Sequence, residues 1–578
     1  MLAIKSEIAQ SIAQTIKSIN SNAELEASTI LDMLEYPPDE KMGDIALPCF
    51  KLSKTLRMAP VKIAESIASE LSLASIKSAV AINGYLNIYL DGEYLANKVV
   101  DEVNIKGEKY GAPQMGEGKT VVLDYSSPNV AKPFHIGHLG TTVIGHSLKK
   151  LHEFAGYKCV GINYLGDWGT QFGKLIVAYR KWGNREEIEQ GGVDALVALY
   201  VKINNAISGN EEQGIPADSA LADEARAEFR KLEEGDEENI ALWRWFVDIS
   251  LAEYQKTYKQ LGIEFDSYKG ESFYTDKMPA QVQKLRDSGL LKIDDGASIV
   301  DLTDYGMTPC LILKRDGSTL YPTRDIAAAV YRKETYDFDK MIYVTSAGQS
   351  LHFAQWFKVV ELMGYDWFDK LIHVPYGTVS INGAKLATRT GNVILLRDLF
   401  AESIAKVESI MKEKNPDLEN GDKIAEAVGV GAIVFYYLSN NRIRDINFMI
   451  EDALSFEGNT GPYVQYTYAR TCSVLSKSAD ISNDAKLVIT ADEETALLKT
   501  LARFEEVVRE AIAVYEPSVI TRYILDVAGA YNRFYHNCSI LGAENEDVRN
   551  TRIAITKATK TVLGNAFELI CLAKTEKI

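Results

Sequence analysis

The run Thr120-Val-Val-Leu-Asp-Tyr-Ser-Ser127 is apolar and β-branched until it ends in polar residues, as a strand buried on both faces reads. A loop from Pro128 to Phe134 follows, then residues 135–155 with helical apolar spacing, then a second strand-like run at 158–165. Strand, loop, helix, strand in that order is a βαβ unit, which commits the chain to a parallel sheet with helices over its faces. The same order returns as strand at 341–345, helix at 351–364 and strand at 371–376.

At 578 residues the chain exceeds one core, and roughly 150 residues per domain suggests about three or four domains. Residues 1–110 open with Ile4, Ile8, Ile12, Ile16 and Ile19 in helical spacing and include a strand-like run at 81–90. The Gly- and charge-rich stretch at 106–119 reads as the linker that closes this small α+β domain. Residues 111–403 hold the sheet, with a polar, helix-rich insertion at about 180–265, and residues 404–578 read as an all-α bundle. The expected fold is thus multidomain α/β: a small α+β domain, a Rossmann-type parallel-sheet domain with a helical insertion, and a helical bundle.

Several classes are disfavoured. Lys5, Glu7 and Lys17 interrupt the N-terminal apolar spacing, unlike the unbroken core of a signal peptide. The longest apolar stretch, at 427–438, falls short of the ~20 residues of a membrane span. Cys49, Cys159, Cys310, Cys472, Cys538 and Cys571 are scattered without a CxxC pair, which suits reduced thiols of a cytoplasmic protein better than a disulfide frame or a zinc knuckle. A net charge of -17 and a pI near 5.1 argue against a generic nucleic-acid binder. RNA bound at a local basic surface stays open.

The loop after the first strand carries the chemistry, in Ser126-Ser-Pro-Asn-Val-Ala-Lys-Pro-Phe-His-Ile-Gly-His138. In open α/β sheets, ligands bind at the carboxyl ends of strands, where helix N-termini point their free N–H groups. His135 and His138 stand at i and i+3 on the first turn and share a face, and Gly137 lets a flat ring approach the backbone. With Lys132, two imidazoles and an amine at a positive helix end suit a phosphate whose charge grows in the transition state. The HxxH spacing could instead hold a metal, but no third ligand stands nearby.

This segment resembles the HIGH signature of class I aminoacyl-tRNA synthetases, and its extended form resembles the arginyl-tRNA synthetase family. Other pieces agree in order: Gly166-Asp-Trp-Gly-Thr-Gln-Phe-Gly173, Tyr321-Pro-Thr-Arg-Asp325, Gly348-Gln349 ahead of His352-Phe-Ala-Gln355, and Asp452-Ala-Leu-Ser-Phe-Glu-Gly-Asn-Thr-Gly-Pro462. The resemblance covers nearly the whole chain. It implies activation of arginine with ATP to arginyl adenylate and pyrophosphate, then transfer to the terminal adenosine of tRNA(Arg), with activation dependent on bound tRNA. Mg²⁺ is expected to arrive on ATP, and zinc is not expected.

The resemblance also implies the sites. Asp124, Asn129, Glu271, Tyr321, Asp325 and Gln349 are expected around the amino acid. A planar guanidinium with five donors is best met by fixed carboxylates and hydroxyls, and Tyr321 and Asp325, four apart at a helix start, can reach one ligand together. Taken singly, each acid could equally be a helix cap or part of a solvated face. Such a pocket should reject lysine and citrulline without an editing site. ATP is expected on Lys132, His135, Gly137, His138 and Lys385.

The second class I signature, KMSKS, falls on Lys385-Leu-Ala-Thr-Arg389 between Gly383 and Gly391, with Ala387, Thr388 and Arg389 in place of Ser, Lys and Ser. The resemblance implies that a lysine just before the first signature, here Lys132, makes up for the missing one, so pyrophosphate-side charge is expected jointly on Lys132, Lys385 and Arg389. An ordinary surface turn is the alternative.

In the helical region, Tyr463, Tyr466 and Tyr468 with Arg470, and Tyr531, Asn532 and Tyr535, offer stacking faces and donors for anticodon bases, although aromatic stripes are more often core. Tyr85 and Asn87 are the candidates for the tRNA elbow in the N-terminal domain. The family is mostly monomeric, and a monomer is expected. A synthetase for cysteine would want zinc ligands and one for glutamate a basic pocket, for which Arg324 alone is thin support. A catalytically silent tRNA-binding paralogue would not be expected to keep Lys132, His135, Gly137 and His138 together.

Overall fold

The computed structural model describes residues 1–20, 25–209, 216–381, 384–385, 394–414, 416, 418–478 and 486–578, with the side chains of 40, 381, 384, 385 and 414 outside the description. At its centre four parallel strands lie in the order Leu371–Tyr376, Lys340–Ser346, Thr120–Asp124, Lys158–Ile162. The register sets Asp124 beside both Ile162 and Tyr343, at the carboxyl edge of the sheet.

Alternation along the first strand explains its apolar run. Val121 and Leu123 point into one core with Val143, Ile144 and Leu148, while Val122 points into the other with Met341, Trp356 and Val359. A strand covered on both faces has no polar side to show. The two expected βαβ units are present, with helix Ile136–Phe154 in the first and helix Ser350–Leu362 in the second.

The insertion is helical, with long helices Arg185–Ser208, Ser219–Glu233 and Glu237–Leu261. The N-terminal region packs helices Leu2–Ile19, Ala27–Met33 and Pro60–Glu70 against an antiparallel sheet ordered Ile45–Pro48, Tyr85–Leu90, Ile76–Ile82. The single strand expected at 81–90 is instead the turn and second half of a hairpin. Asn83 and Gly84 both have positive φ, 51° and 83°, the two-residue turn that Asn-Gly favours because it matches strand twist.

The carboxyl-terminal part is helical from Leu396–Lys414 through Glu546–Leu569. The boundary expected at 403 falls inside helix Leu396–Lys414, and the short strand Ile446–Phe448 pairs in parallel with Val379–Ile381. Among the described residues no helix is long and apolar enough to cross a membrane.

Candidate active site

The carboxyl edge of the sheet opens into a cavity of about 1320 Å³ including its mouth. Asp124 ends one strand, Asn129 lies in the loop that follows, Tyr321 and Asp325 begin helix Tyr321–Tyr336, and Gln349 precedes helix Ser350–Leu362. All of these line the cavity, as do Glu271, His138 and, beyond the sequence expectation, Tyr164 and His352.

The loop from strand to helix is bent by three non-glycine residues in the left-handed region, Ser126 at 70°, Ser127 at 48° and Ala131 at 58°. Such backbone persists only where surroundings hold it. Here Ser126 N–H donates to Thr141 Oγ1 at 3.0 Å, Ala131 N–H to Ser250 Oγ at 3.0 Å, and Tyr254 donates to the carbonyls of Asn129 and Lys132 at 2.7 Å. The insertion helix bearing Ser250 and Tyr254 thus shapes this loop. Gly166 is needed because a Cβ there would meet Asn129 Oδ1 at 2.1 Å.

His135 caps helix Ile136–Phe154: its Nδ1 accepts from Gly137 N–H at 3.0 Å, and its own N–H donates to His138 Nδ1 at 3.2 Å. A backbone N–H can only donate, so both Nδ1 atoms accept and both Nε2 atoms carry the proton. Burial, aided by the charge of Lys132, lowers His135 to about 4, and burial with the neighbouring His135 lowers His138 to about 3. At neutral pH these rings offer neutral N–H donors at a positive helix end. Lys132 is exposed and sits beside Gln171 and Tyr200 rather than on the cavity wall.

The acids expected around the amino acid each have a basic partner within the protein. Asp124 Oδ2 meets Arg332 Nη1 at 2.8 Å, Glu271 Oε2 meets Arg324 Nη1 at 2.6 Å, and Asp325 Oδ2 meets His352 Nε2 at 2.6 Å. A carboxylate removed from water needs a counter-charge or donors, which motif spacing does not reveal. Burial raises Glu271 to about 7, Asp325 and Asp167 add to the rise, and Arg324 opposes it. Asp167 fixes this acid's neighbour by accepting from Ser272 N–H at 2.8 Å and Ser272 Oγ at 2.7 Å. Sequence reasoning passed over Arg332, although it lies two helical turns beyond Asp325 and so on the same face.

Strand Ala384–Lys385 pairs with Val379–Ile381, setting the Lys385 backbone opposite Ser380; Arg389 lies outside the described residues. The chain leaving this loop is pinned to the first signature, with Ile136 N–H donating to Ile394 O at 3.2 Å and Leu396 N–H to Phe134 O at 3.0 Å. Residues 394–396, which follow the second signature in the chain, thus pair with the backbone at the start of the helix that carries the first.

In the C-terminal region the Arg470 guanidinium lies 5.1 Å from the Tyr466 ring centre and 4.8 Å from that of Tyr535, and it donates to Asn532 Oδ1. Asn532 Nδ2 in turn donates to Tyr463 Oη at 3.0 Å. Tyr466 and Tyr535 are 42% and 39% exposed, whereas Tyr531 is 0% exposed and Tyr468 4%. Tyr531 and Tyr468 are therefore core, not stacking faces. Asn87 is buried in the middle strand of the N-terminal sheet, leaving Tyr85, edge-on to exposed Phe50 at 5.0 Å, as the accessible residue of that pair. Among the described residues no group of three His, Cys, Asp or Glu is placed to hold a metal.

Comparison with known proteins adds to this geometry. Residues 99–450 match the family model described as tRNA synthetases class I (R), catalytic domain; residues 464–578 match the DALR anticodon binding domain, and residues 4–90 the arginyl tRNA synthetase N terminal domain. An arginine–tRNA ligase of Alkaliphilus metalliredigens is 48% identical over 554 residues, spanning 95% of this chain and 96% of that protein. One of Clostridioides difficile is 48% identical over 561 residues, spanning 96% and 97%. Among solved structures, Thermus thermophilus arginyl-tRNA synthetase superposes with a TM-score of 0.82 at 24% identity over 99% of both chains, a likeness of fold.

Proposed function

The chain belongs to the class I arginyl-tRNA synthetases and is an arginine–tRNA ligase; from that premise we propose the roles of its residues in the two steps. In the first, a carboxylate oxygen of arginine attacks the α-phosphorus of ATP. The bond to the bridging oxygen breaks, pyrophosphate leaves, and arginyl adenylate forms. The carboxylate is already a nucleophile, so no general base is required, and catalysis rests on alignment and on donors aimed at developing charge.

His135 and His138 are the donors to the reacting phosphate through Nε2, and Gly137 leaves room for the nucleotide. Lys132, Lys385 and Arg389 carry charge toward pyrophosphate, and Mg²⁺ enters on ATP. Asp325 and Tyr321 receive the guanidinium, with Asp124, Asn129, Glu271 and Gln349 completing the amino-acid pocket. In the second step a ribose hydroxyl of the terminal adenosine attacks the activated carbonyl and AMP leaves. Tyr466, Arg470 and Tyr535 form the platform for anticodon bases, and bound tRNA is required before arginine is activated. The N-terminal domain is read as 1–110, the seam expected at 403 as lying instead ahead of helix Leu396–Lys414, and the chain as a cytoplasmic monomer.

One observation supports these roles above others: residues far apart in sequence, from Asp124 to Gln349, converge with His138 on one cavity at the carboxyl edge of the sheet. Charging of total tRNA with labelled arginine by the purified chain tests the reading. Arginine should be esterified to tRNA, and failure with active tRNA and ATP present would overturn it.

A further inference from the structure

Behind the cavity wall lies a guanidinium that belongs to the protein itself. Arg332, on helix Tyr321–Tyr336, is 1% exposed. Its guanidinium carbon lies 5.0 Å from the ring centre of Tyr164, 5.7 Å from that of Tyr343 and 5.8 Å from that of Tyr274, so three π-faces surround a desolvated cation. Its carboxylate partner is Asp124, at 2.8 Å. Asp124, Tyr164 and Tyr343 line the cavity, and Arg332 stands behind them.

Asp124 is held from two sides. Its Oδ2 faces Arg332, and its Oδ1 accepts from Ser127 Oγ at 2.9 Å, from a loop residue in the left-handed region. An aspartate has two torsions to fix, and a guanidinium on one oxygen with a hydroxyl on the other fixes both. Asp124 so held is part of the cavity wall. We propose that Arg332 is a positioning residue for amino-acid binding, which sets the orientation and charge of Asp124 from behind the pocket without touching the substrate. This rests on the reading of the cavity as the arginine site. Burial pushes the Asp124 carboxyl upward and Arg332 opposes that push, in keeping with the geometry.

A point charge on a flexible stem does not replace a planar fork. Arg332→Lys therefore should raise the KM for arginine by about tenfold, as for a lost charge-assisted contact, while the KM for ATP changes by less than about twofold. A double-mutant cycle separates positioning from general damage. In an Asp124→Asn background, replacing Arg332 should add less than about twofold to the arginine KM. Because a lone buried carboxylate could unfold the chain, the cycle is also run with Arg332→Gln, whose pairing with Asp124→Asn leaves no unmatched charge; thermal melting confirms folding of each variant.

Equal rises in the arginine and ATP KM, or effects that multiply fully in the cycle, would overturn the role of Arg332. If the wild type activates another amino acid in place of arginine, it is the reading of the pocket that fails. If the wild type prefers arginine and the cycle is multiplicative, only the Arg332 inference fails.

Discussion

Asp325 Oδ2 and His352 Nε2 lie 2.6 Å apart on the wall of the cavity. A carboxylate can only accept, so the histidine donates and holds the acid in place. Asp124 and Glu271 each face a permanently charged guanidinium, whereas Asp325 faces an imidazole. Asp325, the acid of the three without a guanidinium partner, is the one we propose for a cationic substrate.

Asp325→Asn should raise the KM for arginine by about 10²- to 10³-fold, roughly the 3–4 kcal/mol of a partly desolvated charge pair losing one member, with the KM for ATP within about threefold. Steady-state aminoacylation, titrating each substrate in turn, distinguishes this from a general defect. Parallel rises in both constants would remove Asp325 from guanidinium binding.

Replacing His138 by Ala removes the proposed donor to the reacting phosphate, and loss of one such donor costs about 10²–10³ in kcat. Lys132→Ala should cost kcat more than it costs the KM for arginine if, as proposed, its charge reaches toward pyrophosphate from outside the cavity wall. Single-turnover measurement of adenylate formation reads both. A purely KM effect for either variant would contradict these assignments.

Two histidines remote from the cavity set an acid limit on stability. Burial, with nearby lysines, lowers His146 to about 3, and burial with Lys340 lowers His152 to about 4, from 6.5. Below 6.5 the unfolded chain takes up protons that the folded rings refuse. Stability from each ring is thus complete above about pH 6.5 and lost as pH falls toward its folded value, by up to about 1.4 kcal/mol per unit. His146→Gln/His152→Gln should flatten the fall in unfolding midpoint between pH 7 and 5. Parallel slopes for variant and wild type would refute the linkage.

Tyr466→Ala and Tyr535→Ala should weaken tRNA binding by about 1–3 kcal/mol each if they stack bases and leave the KM for arginine unchanged. Tyr531→Ala should instead lower thermal stability, because an aromatic ring in a closed core costs about 3–5 kcal/mol to remove. Filter binding with tRNA and melting curves together separate the two outcomes.

Much of this architecture was legible because local and long-range signals agreed. The strand at Thr120 to Asp124, the helix starting after His135 and the return strand at Lys158 each carry their own period, and the structure differs by only a few residues at their ends. The hairpin at Asn83-Gly84 was legible too, had turn chemistry been weighed above the apolar run on either side. The counter-charges were not. Nothing in the spacing of Asp124 and Arg332 reveals that a strand end and a helix meet at 2.8 Å, since their encounter depends on how that helix packs across the sheet. Burial of Tyr531 against exposure of Tyr535 on one helix follows from the neighbouring helices, which a lone tyrosine pattern does not specify.

We propose that Asp325, held by His352 rather than by a guanidinium, receives the substrate guanidinium beside the helix start that carries His135 and His138. ATP–pyrophosphate exchange with arginine, lysine and citrulline, each with and without tRNA, tests it most directly. Exchange should be strong with arginine and tRNA together, weak with arginine alone, and at background with lysine or citrulline. Comparable exchange with citrulline, which has the shape but not the charge, would contradict it.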